Sequence, residues 1–345
     1  MLCIWNHSTD PAFNLAMEEY CLTQRQEDFL LLWRNRPAVI IGKNQNARAE
    51  IHSAFVEEHD IAVIRRLSGG GAVFHDLGNV NFTFIASHSG EKRIDFRRFA
   101  EPVVQALQSL GVPAVFDGRN DVTVEGAKIS GNAQYVHKNR VLHHGTLLFA
   151  ADTRLLSGAL RADPLKFATK AVKSVRKRVA NIVDFLPQAL DVETFMATLL
   201  EYFLSHNPES TVAGFSDADT EAITALREAK YATWEWNFGA APPYTQRYVL
   251  RSAAGGTLEA ALDVRGGAIQ NARIWGDYFG VRSIGDVEAK LHGVALTKEA
   301  LYATLAELPL EAYLWNIDLE ELLAVLLGQP PAQPREVADP AAAGS

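Results

Sequence analysis

The densest set of residues that could do chemistry is the run Arg65-Arg66-Leu67-Ser68-Gly69-Gly70-Gly71-Ala72-Val73-Phe74-His75-Asp76-Leu77-Gly78-Asn79. Consecutive glycines permit positive φ and let backbone N–H groups approach an anion closely, and the paired arginines beside them add positive charge. A phosphate or a carboxylate suits such a loop. Taken alone, the same wording also describes a glycine-rich hairpin loop with two solvated arginines. It is not a Walker loop, because no Gly-Lys-[Ser/Thr] follows and the next element reads as a strand.

A second group lies at Gly118-Arg119-Asn120-Asp121 and Glu125-Gly126-Ala127-Lys128-Ile129-Ser130-Gly131-Asn132-Ala133. Strand alternation puts Lys128 and Ser130 on one face, where an inward cation could serve a pocket; a lone lysine is otherwise a solvated surface group. In His143-His144-Gly145-Thr146 the adjacent histidines point to opposite faces of a strand, which makes them a poor metal pair and leaves at most one to line a site. Lys170, Lys173, Arg176, Lys177 and Arg178 follow without an intervening acid. Such a run is a solvated helix face, or a surface for nucleotide phosphates or an acidic protein.

These residues need elements to hold them. Residues 10–22 read as an amphipathic helix capped by Asp10, with Pro11 at its first position. Residues 29–33 and 38–41 read as a pair of buried strands joined by a tight turn, and 61–67, 72–75 and 80–85 as strands around the glycine run. Apolar spacing predicts a helix over 95–110, and strands follow at 122–124, 129–136 and 141–149. The stretch 152–230 reads as mainly helical, with Asp191 and Ser216 as N-caps. This order predicts an α+β fold, with a large domain over 1–245 built on a mixed β-sheet flanked by helices. A three-strand meander and then helices predict a small α+β domain over 246–328, and the Pro- and Ala-rich 329–345 reads as a disordered tail.

Composition removes other classes. The chain has 345 residues, 48% of them apolar, which is normal for a globular protein. Its 33 Lys+Arg against 41 Asp+Glu give a net charge of −8, the wrong sign for a general nucleic-acid binder. Cys3 and Cys21, both near the N-terminus, cannot supply a disulfide framework or a cysteine zinc site. The start MLCIWNHSTD lacks a signal-peptide pattern, and no stretch approaches the ~20 apolar residues of a membrane span, so a soluble cytoplasmic protein is expected.

In order and wording, RRLSGGGAVFHDLGNVNFTF, GRNDVTVEGAKISGNA, HHGTLLF, KSVRKRVANI and WEWNFG resemble the lipoate-protein ligase A family of the biotin/lipoyl protein ligase superfamily. The resemblance runs from about Asp10 to about Pro243 and continues less distinctly beyond. The related biotin ligases use an arginine-rich glycine loop without this Ser-Gly-Gly-Gly wording. One departure is GKNQNARAE at 42–50, where the family more often has Arg in place of Lys43 and Pro in place of Ala47.

The resemblance implies a biotin/lipoyl ligase-like catalytic domain with an accessory domain, and a two-step reaction. Lipoate and ATP give lipoyl-AMP and pyrophosphate; a lysine of a lipoyl domain then takes the lipoyl group and AMP leaves. It implies Lys128 as the catalytic cation, and Arg66, Gly71, Ala72, Val73, Phe74 and Lys128 around ATP or the adenylate. Ser68, Gly70, Asn79, His144 and Lys128 would border the lipoyl arm, and Asp121 would serve Mg²⁺ or orient the amine. The implied partners are lipoyl domains of 2-oxoacid dehydrogenase complexes and the glycine cleavage H protein, with the enzyme a monomer and no nucleic acid or membrane involved. Two rivals differ from this reading. One is an acyltransferase of the same fold that takes lipoyl-adenylate or an octanoyl thioester without activating a free acid; its cysteine-dependent members need a nucleophile in the pocket, and neither Cys3 nor Cys21 falls in these motifs. A non-catalytic binder of lipoyl domains or of free lipoate would not need Lys128 together with the glycines 69–71.

Overall fold

The computed structural model describes residues 1–345 except 46, 88–94, 119, 161–178, 239–245, 253–255, 266 and 329–345. Arg119, the basic run 170–178 and the expected tail therefore lie outside the described residues. The strands are β1 (Leu2–Trp5), β2 (Phe29–Trp33), β3 (Ala38–Ile41), β4 (Ala62–Arg65), β5 (Val73–His75), β6 (Asn79–Ser87) and β7 (Val115–Asp117). They continue as β8 (Asp121–Val124), β9 (Ala127–His137), β10 (Arg140–Leu148), β11 (Thr211–Val212), β12 (Gln246–Arg251), β13 (Thr257–Arg265) and β14 (Ala268–Gly276). The helices are α1 (Pro11–Thr23), α2 (Ala47–Glu50), α3 (Ser53–Glu58), α4 (Phe96–Ser109), α5 (Thr153–Ala159) and α6 (Val192–His206). After them come α7 (Asp217–Leu226), α8 (Trp234–Phe238), α9 (Gly285–Lys290), α10 (Lys298–Leu305) and α11 (Leu319–Leu327).

An eight-stranded mixed sheet has the order β11-β1-β2-β6-β10-β9-β8-β7, and β4-β3-β5 form a small second sheet. The expected pairing of 29–33 with 38–41 does not occur. β2 pairs with β1 and β6, whereas β3 pairs with β4 and β5. Every residue of both strands is buried, so their pattern carries no face that could identify a partner. Between them Asn35 turns the chain from one sheet to the other, its side-chain oxygen accepting from Asn14 and its amide nitrogen 3.0 Å from His75 Nδ1.

The two faces of the large sheet have different coverings. Leu30, Leu32, Phe82 and Phe84 pack with Phe99 and Val103 of α4 and with Phe195, Leu199 and Phe203 of α6. On the other face, Phe29, Leu31, Trp33, Ile85 and Leu142 meet α1 and the inward side of the small sheet, Ala38, Ile40 and Ile64. The small sheet's outward side, Val39, Ile41 and Phe74, packs on Val56 and Ala159. Each fully buried Phe or Leu contributes about 1.5–3 kcal/mol to this arrangement.

The helix starts follow their caps. Asp10 accepts from the Ala12 N–H with Pro11 at the first position, Asp95 accepts from Arg98, and Asp191 and Ser216 cap α6 and α7. In the C-terminal portion β12-β13-β14 form an antiparallel sheet. Its apolar side encloses Leu258, Leu262 and Ile274 with Val287, Leu301 and Leu322 of the three helices that follow, a cluster with no member before Tyr248 among the described residues.

Candidate active site

The glycine loop joins β4 to β5, and its two arginines hold backbone rather than solvent. Arg65 donates from Nε to the Trp236 carbonyl, from Nη1 to Gly42, Lys43 and Gln45, and from Nη2 to Asn237. Arg66 donates from Nη1 to Ile40 at 3.1 Å and from Nη2 to Gly69 and Gly71 at 2.6 and 2.8 Å. Burial pushes both guanidinium groups down to about 10, so both stay charged at neutral pH. Gly70 has φ +88°, a conformation that suits glycine.

The C-terminal portion reaches this loop. Gly70 N–H donates to the Tyr278 carbonyl at 3.0 Å, and Gly276 N–H donates to the Asn44 carbonyl at 2.8 Å. A Cβ on Gly69 would lie 2.3 Å from the Tyr278 oxygen, and one on Gly70 would lie 2.9 Å from the Phe279 ring. Phe279 in turn is buried with Phe96 and Ala133, its ring centre 5.0 Å from that of Phe96.

Below the loop runs a buried polar chain. Arg66 Nε–H donates to Ser68 Oγ at 3.0 Å, Ser68 Oγ is 2.6 Å from His144 Nε2, and His144 Nδ1 is 2.9 Å from Glu18 Oε1. Thr83 donates to the same carboxylate at 2.5 Å, and Trp33 Nε1–H donates to Thr83 at 3.0 Å. Ser68, His144 and Glu18 share the connectivity of a Ser-His-acid triad. Ser68 is nevertheless fully buried and its oxygen receives Arg66, so its hydroxyl is not offered to a substrate as a nucleophile.

Lys128 is half-buried, with about a third of its side chain open (31%) and Nζ 2.9 Å from Asp121 Oδ1. The register of β8 on β9 shifts between Val122 and Thr123, which takes Lys128 out of phase with Ser130. Ser130 is buried, 3.4 Å from Asn132 Nδ2, while the Lys128 ammonium lies against Gly131. The expected shared face of Lys128 and Ser130 is thus replaced by one that carries Lys128, Gly131, Ala133 and His144, the last two being register partners. Val179, the first described residue after the basic run, bridges to Lys128.

Of the two histidines, His144 faces the glycine loop. His143 is buried on the opposite face, 3.0 Å from Gln134 and 3.1 Å from Asn132, and stacked on Phe99. Val73 faces the large sheet, but the Phe74 side chain packs outward with Val39 and Val56, so Phe74 has only its backbone to offer the loop side. Ala72 packs with that outward cluster too. Asn79 lies on the site face, bonded to Asn81 at 2.9 Å, with its own side-chain oxygen buried and unpartnered among the described residues, as is His75 Nε2.

Sequence reasoning missed Glu18, Thr83 and Trp33. One signal was available for Glu18: it falls four residues after Asn14 on the buried face of α1, among Leu15, Met17 and Leu22. Cys3 and Cys21 are buried in two hydrophobic clusters and burial pushes both thiols up, so neither is a thiolate nucleophile.

Comparison with known proteins places this geometry in a family. Residues 10–204 match the lipoyl protein ligase A/B catalytic domain, and residues 241–326 match the bacterial lipoate protein ligase C-terminus. Lipoate–protein ligase 1 of Staphylococcus aureus is 43% identical over 93% of this chain and 98% of its own length. A lipoate-protein ligase of Bacillus subtilis is 40% identical over 94% of this chain and 100% of its own. Among solved structures, P. falciparum LipL1 in complex with lipoate superposes with a TM-score of 0.78 at 25% identity, covering 95% of this chain and 99% of that one. A lipoate-protein ligase A bound with ATP superposes with a TM-score of 0.59 at 26% identity, covering 69% of this chain and 98% of that one. With a catalytic-domain model matching more than half of the chain and relatives at 43% and 40% identity along nearly all of it, the chain belongs to the lipoate-protein ligase family.

Proposed function

We propose that this protein activates lipoate with ATP, forming lipoyl-AMP and pyrophosphate, and then passes the lipoyl group to a lysine of a lipoyl domain, releasing AMP. The observation that carries the reading is the face shared by Lys128, Gly131, Ala133 and His144 beneath the glycine loop, with a cation at one end and small residues along it. Joining a carboxylate to an α-phosphate brings negative groups together, so cations and N–H donors must stand where charge develops. Lys128 would contact the carboxyl and α-phosphate oxygens in both steps, and the backbone of residues 70–74 would receive the nucleotide. Arg66 would act on the phosphate side chiefly by shaping the loop, since its donors are engaged by carbonyls. Ser68, Gly70, Asn79 and His144 would border the acyl arm.

Magnesium suits such a site through one or two carboxylates together with substrate phosphates. Asp121 fits that requirement, and Asp117 is its register partner across the β7–β8 turn. These residues would hold the ion, which supplies neutralisation of phosphate charge. Residues 1–245 would form the catalytic unit and 246–328 the accessory one, with lipoyl domains of 2-oxoacid dehydrogenases and the glycine cleavage H protein as acceptors. The enzyme would act as a cytoplasmic monomer. No helix among the described residues is long and apolar enough to cross a membrane.

Incubation with ATP, Mg²⁺, lipoate and an apo lipoyl domain tests the reading, with pyrophosphate release and the mass of the acceptor as readouts. Both should respond to lipoate. Transfer from supplied lipoyl-AMP without any pyrophosphate release from free lipoate would make the protein an acyltransferase instead.

A further inference from the structure

Resting on the ligase reading, we propose that Glu18 is a positioning residue for the glycine loop, acting through His144 and Ser68 to hold Arg66 in place. The hydrogen-bond chain can be ordered from its ends. A guanidinium only donates, so Ser68 Oγ accepts from Arg66 Nε at 3.0 Å. With a neutral His144 ring, the one hydroxyl hydrogen of Ser68 goes to His144 Nε2 at 2.6 Å. A carboxylate only accepts, so the ring hydrogen of His144 sits on Nδ1, 2.9 and 3.1 Å from the two Glu18 oxygens. From the other side, Trp33 Nε1–H fills one lone pair of Thr83, whose hydroxyl hydrogen goes to Glu18 at 2.5 Å.

The Arg66 Nε–H, the hydroxyls, the ring N–H and the indole N–H thus all point along the chain toward one carboxylate. All these side chains are buried, so reversing any member leaves a polar group unpaired away from water. The order reaches the loop because the remaining donors of Arg66 grip the carbonyls of Ile40, Gly69 and Gly71. The charge of Glu18 also opposes the effect of burial on Arg66. A carboxylate on α1 therefore helps to decide how residues 69–71 present their N–H groups.

The test begins with the full chain and no substrate. Ring ¹⁵N shifts, with His144 identified by its loss in His144→Asn, should show Nδ1 protonated and Nε2 bare; an Nε2–H ring overturns the proton order. Glu18→Gln keeps the volume but lets either nitrogen carry the hydrogen, and it should shift the Gly70 and Gly71 amide resonances. Unmoved loop amides overturn the positioning role. In lipoate-dependent ATP–pyrophosphate exchange, Glu18→Gln and Ser68→Ala should each lower kcat/KM about tenfold or more. Their combination should be no worse than the worse single variant, whereas multiplied losses mean two independent effects and refute the chain. If no adenylate forms at all, the ligase reading fails, and the ring and amide shifts still decide the role of Glu18.

Discussion

Lys128 is a lysine with a carboxylate at 2.9 Å and a glycine under its ammonium, and that environment sets what its removal should do. Lys128→Ala should slow adenylate formation by roughly two to three orders of magnitude, the usual cost of deleting a donor aimed at developing charge. A partly exposed ion pair is worth ~1 kcal/mol or less, so the unfolding midpoint should barely move. An unchanged rate of pyrophosphate exchange removes Lys128 from the chemistry. His75 makes the opposite kind of prediction, about stability. Burial, and after it the nearby Arg66 guanidinium, push its pKa down to about 3. A depressed histidine favours the neutral ring in the fold, so its contribution is complete above about 6.5 and is lost as pH falls toward 3. Between pH 7 and 5 this single group should cost about 2 kcal/mol of unfolding free energy. Denaturant unfolding at the two pH values checks it, with His75→Gln expected to flatten the dependence; an equally steep variant would assign the loss to other groups. Lys128 and His144 were named through the family resemblance, because strand alternation alone leaves Lys128 a surface lysine and does not choose between the two adjacent histidines. Glu18 was not, since its partners Thr83 and His144 are brought to it only when α1 lies across the large sheet.

At the level of elements, the glycine loop is defined by what its missing side chains admit. Gly70→Val would force a β-branched residue into φ +88° and drive a Cβ to within 2.9 Å of the Phe279 ring. Backbone strain of this kind costs about 1–3 kcal/mol. The variant should lose stability by about that amount and bind lipoate poorly, and isothermal titration showing normal lipoate affinity would contradict the placing of the acyl arm beside Gly70. Gly126→Ala is the matched control, because φ is +76° there but no atom lies within 4 Å of the new Cβ. It should show the strain alone, about 1 kcal/mol, with adenylation unchanged. The elements themselves were readable where a local signal existed: Asp10, Asp191 and Ser216 cap the helices expected of them, and the apolar spacing over 95–110 becomes Phe96–Ser109. What could not be read were the choice of partner for β2 and β3 and the short strands β1, β7 and β11. Each of those depends on a strand brought from elsewhere in the chain, as when the two-residue β11 pairs with β1.

For the whole molecule, the net charge of −8 conceals the cations of the site, Arg65 and Arg66 at the glycine loop and Lys128 on the strand face that carries His144. The C-terminal portion has its own apolar cluster yet meets that loop through a few contacts, chiefly the Tyr278 carbonyl and the Phe279 ring. The Gly70 N–H that an anion would use is the one that Tyr278 occupies at 3.0 Å. A phosphate oxygen and the Tyr278 carbonyl cannot both take that hydrogen in full, so nucleotide binding and this docked contact should compete. A reactive anhydride must also be shielded from water and later meet the lysine of a folded acceptor, which favours two arrangements over one. Spin labels at the exposed positions Val115 and Tyr302 would report the separation of the two portions. Saturating lipoate, ATP and Mg²⁺ should change the distance distribution, and Phe279→Ala should move it the same way without substrates by weakening the docked contact. An identical distribution with the site filled would mean that one arrangement serves both steps, and that Gly70 N–H is not a donor to the nucleotide.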